Sequence, residues 1–253
     1  ALSSAASDVY KRQIQYCDEV KADGFDLVDD FSDLFGMNAA GTDAKMRNTK
    51  ESILEAQFTS GAGNWCTWMF GRDLVNWNNN FTWAKWVTPS RDLISAFKQE
   101  GDEVRFKESI VYYDCNWSNY YPSDNYPFMY KCRSANSSII KYRYADVLLL
   151  KAEALIMQDT PDLEGAADII DEVRDRAKLG ALPTSVRSNK NVLLNALLKE
   201  RRLELAFEGQ RWFDLVRLDK VEEVMNAVYA KDSGRKAQIY TFDKNSYLSL
   251  IHI

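Results

Sequence analysis

A single histidine, His252, stands next to the last residue of this 253-residue chain. Ser–His–Asp and Cys–His catalysis and histidine-ligated metal therefore have almost no basis here. The four cysteines, Cys17, Cys66, Cys115 and Cys132, show no C-x-x-C spacing, so neither a zinc nor a redox site is expected. They read as ordinary thiols. No apolar run approaches the roughly 20 residues that a membrane-spanning helix needs. Excess positive charge is also missing: the net charge is −5, which makes a nucleic-acid backbone a poor partner. Glycine and proline are sparse, at 11 and 5 residues, and 46% of the chain is hydrophobic, enough to bury a real core. No cofactor and no metal is expected.

What is abundant is aromatic and helical. Ile14–Ala22 suits a short helix stopped by Gly24, and a compact turn is expected over Asp29–Phe35. SILEAQF (52–58) alternates apolar and polar residues, as a strand does. Thr59–Val87 follows without a period and carries five tryptophans. Thr88 and Pro89 read as N-cap and first position of a helix that buries Leu93, Ile94 and Phe97. VRFKESIVYY (104–113) fits one or two strands, and Asn116–Phe128 is a second loop rich in Tyr, Asn and Pro.

From Ile139 onward helix dominates. The expected elements are Ile139–Gln158, a second helix capped by Thr160-Pro161 and running to Lys178, a third from Asn191 to Glu208, and mostly helix over 211–229. Ala145, Ala152, Ala154, Ala166 and Ala167 allow the first two to approach closely, as in one tetratricopeptide-type hairpin. Glu200, Glu204 and Glu208 lie four apart and form one stripe, which repels itself by roughly 0.2–0.5 kcal/mol per pair unless cations face it. Arg143, Arg174, Arg176, Arg201, Arg202, Arg211 and Arg217 are available, and Arg143 and Asp146 can meet on one helix face. A structural ion-pair network is favoured over acid–base catalysis, because arginine pairing lowers a carboxylate pKa and a general acid needs it raised.

RYADVLLLKAEAL (143–155), VRDRAKLG (173–180) and ERRLELAFEGQRWFDLVRL (200–218) resemble C-terminal signatures of the SusD/RagB family. Weaker pieces agree in order: YCDEVKADGFDL (16–27), KESILEAQF (50–58), TPSRDLISAF (88–97) ahead of Asp102 and Arg105, and YKCRS (130–134). The resemblance implies a mainly α fold of tetratricopeptide-like helical hairpins, with an irregular loop-rich region and a few short strands. It assigns 14–247 to the C-terminal portion of such a domain, with 59–138 as the loop-rich ligand-binding region and 139–230 as the helical scaffold. It places Trp212 in the core.

Members of this family are cell-surface lipoproteins of the outer membrane in Bacteroidota. They bind oligosaccharide, or sometimes peptide, and cap a SusC-like TonB-dependent transporter. The resemblance implies a lipid anchor on an N-terminal segment, which is expected to lie ahead of this stretch of sequence. Residues 1–13 (ALSSAASDVYKRQ) and 248–253 are similar instead to translated sequencing-adapter DNA and are expected to be non-native.

Sugars present weakly apolar C–H faces ringed by hydroxyls, so aromatic rings on Asn-rich loops are the expected contacts. Trp65, Trp68, Trp77 and Trp83 share one loop with Arg72, Asp73, Asn76 and Asn78; Trp117, Tyr120 and Tyr121 share the other. Trp77, between Asn76 and Asn78, leads this set, against the plainer role of a ring that anchors its own loop. Two alternatives stand beside glycan capture: a helical glycoside hydrolase using two of Asp73, Asp114 and Asp124, and a tetratricopeptide-like adaptor for peptides.

Overall fold

The computed structural model describes residues 2–59, 87–115, 119–231 and 243. Helix α1 (Leu2–Ala22) continues without a break through the first residues and stops at Gly24, whose φ of +95° suits a residue without a Cβ. A short α2 (Ser32–Phe35) and strand β1 (Ser52–Ala56) follow.

Helix α3 (Arg91–Glu100) starts two residues later than the Thr88-Pro89 signal predicts. Ser90 caps it, its Oγ accepting from the Leu93 amide at 3.1 Å, while Thr88 Oγ lies 3.2 Å from the Tyr126 hydroxyl. Ile94, Ala96 and Phe97 form its buried face, with Leu93 packed beside them.

The stretch 104–113 is only half strand. Asp102 caps helix α4 (Glu103–Ser109), and β2 (Ile110–Tyr113) begins after it. Strand β2 pairs antiparallel with β3 (Tyr126–Met129), Ile110 opposite Met129 and Tyr113 opposite Tyr126.

A second correction concerns the RYAD segment. Ile139–Arg143 is strand β4, paired antiparallel with β1, and helix α5 (Tyr144–Met157) starts only at Tyr144. The β-branched Ile139 and Ile140 favour the pleat, and the extended backbone at Arg143 (φ −143°) aims its guanidinium inward.

Helix α6 (Leu163–Arg176) is capped by Asp162 rather than Thr160-Pro161, the Asp162 carboxylate accepting from Gly165 N at 2.9 Å. Lys178 ends this helical segment with φ +60°. A short α7 (Thr184–Arg187) precedes α8 (Lys190–Glu204), which closes four residues before the predicted end. Phe207 (φ +67°) and Gly209 (φ +83°) turn the chain there.

All five predicted small residues, Ala145, Ala152, Ala154, Ala166 and Ala167, are fully buried. Ala145, Ala152, Ala166 and Ala167 join Leu148, Leu149, Ile156, Ile170, Leu193 and Leu197 in one core that links α5, α6 and α8. Burying each Leu or Ile side chain contributes about 1.5–3 kcal/mol, so this cluster is the main apolar anchor of residues 1–208. Two smaller clusters sit under α3 with β2 and under α2 with β4.

Residues 209–253 form a separate unit, described for α9 (Arg211–Arg217) and α10 (Val221–Lys231). The prediction for Trp212 is overturned. It is 36% exposed and Phe213 is 66% exposed, because the inward face of this two-turn helix is carried by Asp214 and Leu215.

Candidate functional site

Two features could hold chemistry, and the buried one is built first. Five carboxylates (Glu51, Asp102, Glu200, Glu204, Glu208) meet five cations (Arg105, Lys131, Arg143, Arg174, Arg176) inside residues 1–208. Glu204 lies at the centre. Its carboxylate accepts from Arg143 at 2.5 Å, from Arg105 at 3.0 Å and from Arg176. Glu51 accepts from Arg143 and Arg176, each at 2.6 Å, and from the Val28 amide at 3.0 Å. Glu208, beyond the end of α8, still reaches Arg143 (2.7 Å) and Lys131 (2.6 Å).

Three of the predicted arginines, Arg143, Arg174 and Arg176, face the glutamates. Others go elsewhere: Arg201 to Asp146 at 2.8 Å, Arg202 to Asp92 at 2.7 Å and Arg217 to Asp214 at 2.7 Å. The expected Arg143–Asp146 pair does not form, because Arg143 precedes the helix and points into the lattice.

The electrostatics follow from this crowding. Burial pushes the Glu204 carboxyl up, but Arg176, Arg143 and Arg105 together outweigh it and hold the group well below the usual carboxylate range. Glu208 is lowered for the same reason, with Arg143 and Lys131 prevailing over burial. At Glu200 and Asp102 burial wins and the carboxyls are raised despite Arg105, which departs from the uniform lowering that arginine pairing predicts. Burial also brings Lys131 down to about 8, and its ammonium sits 4.7 Å from the Phe35 ring centroid. These groups are nearly all sealed from solvent, with Glu51, Arg105 and Glu204 at 0% exposure. A substrate cannot approach a carboxylate so enclosed.

The second feature is open. The β2–β3 hairpin and its connecting loop hold a chain of rings: Tyr126 against Phe128 (centroids 5.2 Å apart), Tyr121 edge-on to Tyr126 (5.6 Å), and Tyr120 edge-on to Tyr121 (4.9 Å). The loop is fixed by Cys115 N donating to Ser123 O at 2.6 Å and Asn125 N to Pro122 O at 3.2 Å. Tyr121 donates its hydroxyl to Pro89 O at 2.7 Å, tying the loop to the entry of α3. Arg91, the first residue of α3, lies 4.2 Å from the Tyr120 ring and 4.8 Å from the Tyr121 ring, and donates to the Tyr120 carbonyl. Between helix and hairpin is a cleft of about 320 Å³ lined by Arg91, Ile94, Ser95, Lys98, Tyr112, Tyr121, Pro122 and Asn125. Burial raises the Tyr112 phenol, so it stands there as a neutral hydroxyl.

Of the predicted contacts, the structure brings Tyr120 and Tyr121 together, with Tyr121 on the cleft wall. Trp65, Trp68, Arg72, Asp73, Asn76, Trp77, Asn78, Trp83 and Trp117 lie outside the described residues. Sequence reasoning missed Arg91, Ser95, Lys98 and Tyr112. The signal was present, since Arg91, Ser95 and Lys98 recur at helical spacing on the polar face of α3. Asp114 and Asp124, the described acids of the hydrolase alternative, are both exposed. Among the described residues no group of His, Cys, Asp and Glu is arranged to hold a metal. Cys17 and Cys115 are buried free thiols, and burial raises the Cys17 thiol to about 11. A wider hollow of about 760 Å³ between α1 and α5, lined among others by Val9, Tyr16, Val20, Val147 and Leu150, contains none of the predicted contacts.

Comparison with known proteins decides the family. The SusD family model matches residues 121–249, just over half of the chain. The chain belongs to the SusD family. A SusD-like protein P38 of Formosa agariphila is 43% identical over 99 residues, 37% of this chain and 19% of that protein. The crystal structure of a SusD superfamily protein from Bacteroides vulgatus superposes with a TM-score of 0.64 at 18% identity, over 92% of this chain and 54% of that one. A laminarin-binding SusD-like protein superposes with a TM-score of 0.56 at 25% identity, over 85% of this chain and 50% of that one. The chain thus spans about half the length of these solved SusD-like structures. The mainly α architecture with few short strands is the SusD-like one. Among the described residues no helix is long and apolar enough to cross a membrane.

Proposed function

We propose that this SusD-family protein captures an oligosaccharide at the cell surface and releases it to a SusC-like TonB-dependent transporter, without turning it over. The observation that carries the reading is the cleft in which Tyr112 and Tyr121 stand beside Ser95, Asn125 and Arg91. A pyranose has apolar C–H faces that a ring can cover and peripheral hydroxyls that such polar groups can bind. The tryptophans of 59–87, with Trp77 foremost, are proposed as further contacts on the strength of their sequence alone. A family relative described as laminarin binding supports the same ligand class.

Capture rather than catalysis is supported by where the carboxylates are. Glycoside hydrolysis needs two of them flanking the scissile bond, about 5–9.5 Å apart. Glu200 and Glu204 are enclosed by arginines, and no carboxylate lines the cleft among its described residues. Outer-membrane attachment through an N-terminal lipid, and the transporter partnership, belong to the same reading by family membership.

Affinity electrophoresis of the intact protein through a panel of polysaccharides tests this. At least one glycan should retard the protein, Trp77→Ala should restore its mobility, and no reducing sugar should be released. Mobility unaffected by every glycan, or sugar release abolished by an Asp→Asn change at Asp73, Asp114 or Asp124, would overturn the reading.

A further inference from the structure

We infer that the cleft between α3 and the β2–β3 hairpin takes an anionic sugar unit, one bearing a carboxylate or a sulfate ester, in preference to a neutral one. This rests on the glycan-binding reading and narrows it to a ligand class. Arg91, Ser95 and Lys98 are four and three residues apart on α3, so they share one helix face, and all three line the cleft. Opposite them stand Tyr112, Tyr121 and Asn125. Among the described residues the wall thus carries two cations and no acid.

The neighbouring carboxylates of α3 are engaged elsewhere. Asp92 pairs with Arg202 at 2.7 Å, and Glu100 accepts from Arg174 at 2.9 Å and from Lys199. Lys98 is exposed and takes part in no ion pair among the described residues. Its field therefore acts on whatever enters the cleft. Arg91 stacks on Tyr120 and Tyr121 and donates to the Tyr120 carbonyl, which fixes the end of the helix against the hairpin loop beside Lys98's cleft.

A chain of net charge −5 repels anions in general, which makes this basic wall a local exception rather than part of a diffuse positive field. A charged sugar substituent gains a charge-assisted hydrogen bond there while its ring lies against tyrosine. A neutral sugar gains only the stacking and the weaker hydroxyl contacts.

Titration calorimetry of the intact protein tests this with three trisaccharides: tri-galacturonic acid, a galactan trisaccharide carrying one sulfate ester, and laminaritriose. At low salt at least one anionic ligand should bind roughly tenfold or more tightly than laminaritriose, and the arm that responds distinguishes carboxylate from sulfate. Raising the salt from about 50 to 500 mM should erode that preference, because an exposed ammonium is screened. Lys98→Glu should bring the anionic-to-neutral affinity ratio to about one or below, with the unfolding midpoint unmoved; Lys98→Gln should give an intermediate ratio. Equal binding of all three ligands by the wild type, or a ratio that survives Lys98→Glu, would overturn the inference and leave glycan capture standing. If none of these sugars binds and no polysaccharide retards the protein, glycan capture fails and the inference with it.

Discussion

At Arg143 every guanidinium nitrogen donates to a protein oxygen inside a sealed lattice, whereas at Lys98 the ammonium lines an open cleft with no carboxylate among its described walls. Both regions combine cations with aromatic rings: Arg176 and Lys131 lie over Phe31 and Phe35, and Arg91 lies over Tyr120 and Tyr121. The difference is what satisfies the charge. In the lattice it is glutamate from elsewhere in the chain, so the charge specifies how segments 51, 131, 143, 176 and 204 meet. At Lys98 no described carboxylate does so. Residue type alone does not separate architecture from recognition; the partner does.

The sharpest way to break the comparison is to remove the centre of the lattice. Glu204→Gln leaves Arg105, Arg143 and Arg176 without their shared counter-charge in a site closed to water, and should cost about 3–5 kcal/mol of stability by urea unfolding. A loss below about 1 kcal/mol would mean that the lattice is not structural.

The lattice should also respond to pH from both ends. Glu204 and Glu208 have lowered folded-state pKa values, so their stabilisation is present above the ordinary carboxylate range and disappears as pH falls through the lowered values. Acid unfolding of Glu208→Gln followed by circular dichroism should therefore be shallower than that of the wild type. Lys131 works in the opposite direction. Its folded value of about 8 lies below the ordinary 10.5, so the unfolded chain binds more protons between them and stability should rise with pH across that window. Lys131→Met should flatten this rise in urea midpoints measured from pH 7.5 to 10.

A smaller effect is expected at the hairpin. Tyr121→Phe removes the hydrogen bond to Pro89 O and should cost about 1 kcal/mol, with the ring still on the cleft wall. The smallest belongs to Lys50→Ala. It breaks a surface pair with Asp29, which is 97% exposed, and should change stability by less than about 1 kcal/mol. A large loss there would erase the contrast between buried and exposed charge.

Much of the scaffold was legible because its signals are local. The alanines of α5 and α6, the alternation in SILEA and the stop at Gly24 each act within a few residues. The glutamate stripe announced its need for cations, but Lys131 and Arg105 lie 77 and 99 residues from the glutamates they meet, and the lattice's fourth glutamate, Glu51, comes from still farther away, with no local pattern connecting them. Ile139–Arg143, just ahead of the helical YAD, was misread as helix because what fixes it is its pairing with β1, a tertiary fact. The same holds for helix α4, where the Asp102 cap and the Arg105–Asp102 pair outweigh the β-forming Val104 and Phe106. At the cleft, loop composition pointed to Tyr120 and Tyr121. Arg91, Ser95 and Lys98 went unnoticed because a polar helix face is ordinarily just the solvated one.

Hydrogen–deuterium exchange of the intact protein, with and without the glycan that retards it most, tests most directly whether architecture and recognition are separate. Saturation should slow exchange in peptides covering 88–98 and 119–126 and leave 190–208 unchanged. Protection centred on Glu200–Glu208, with the hairpin loop unaffected, would contradict the account.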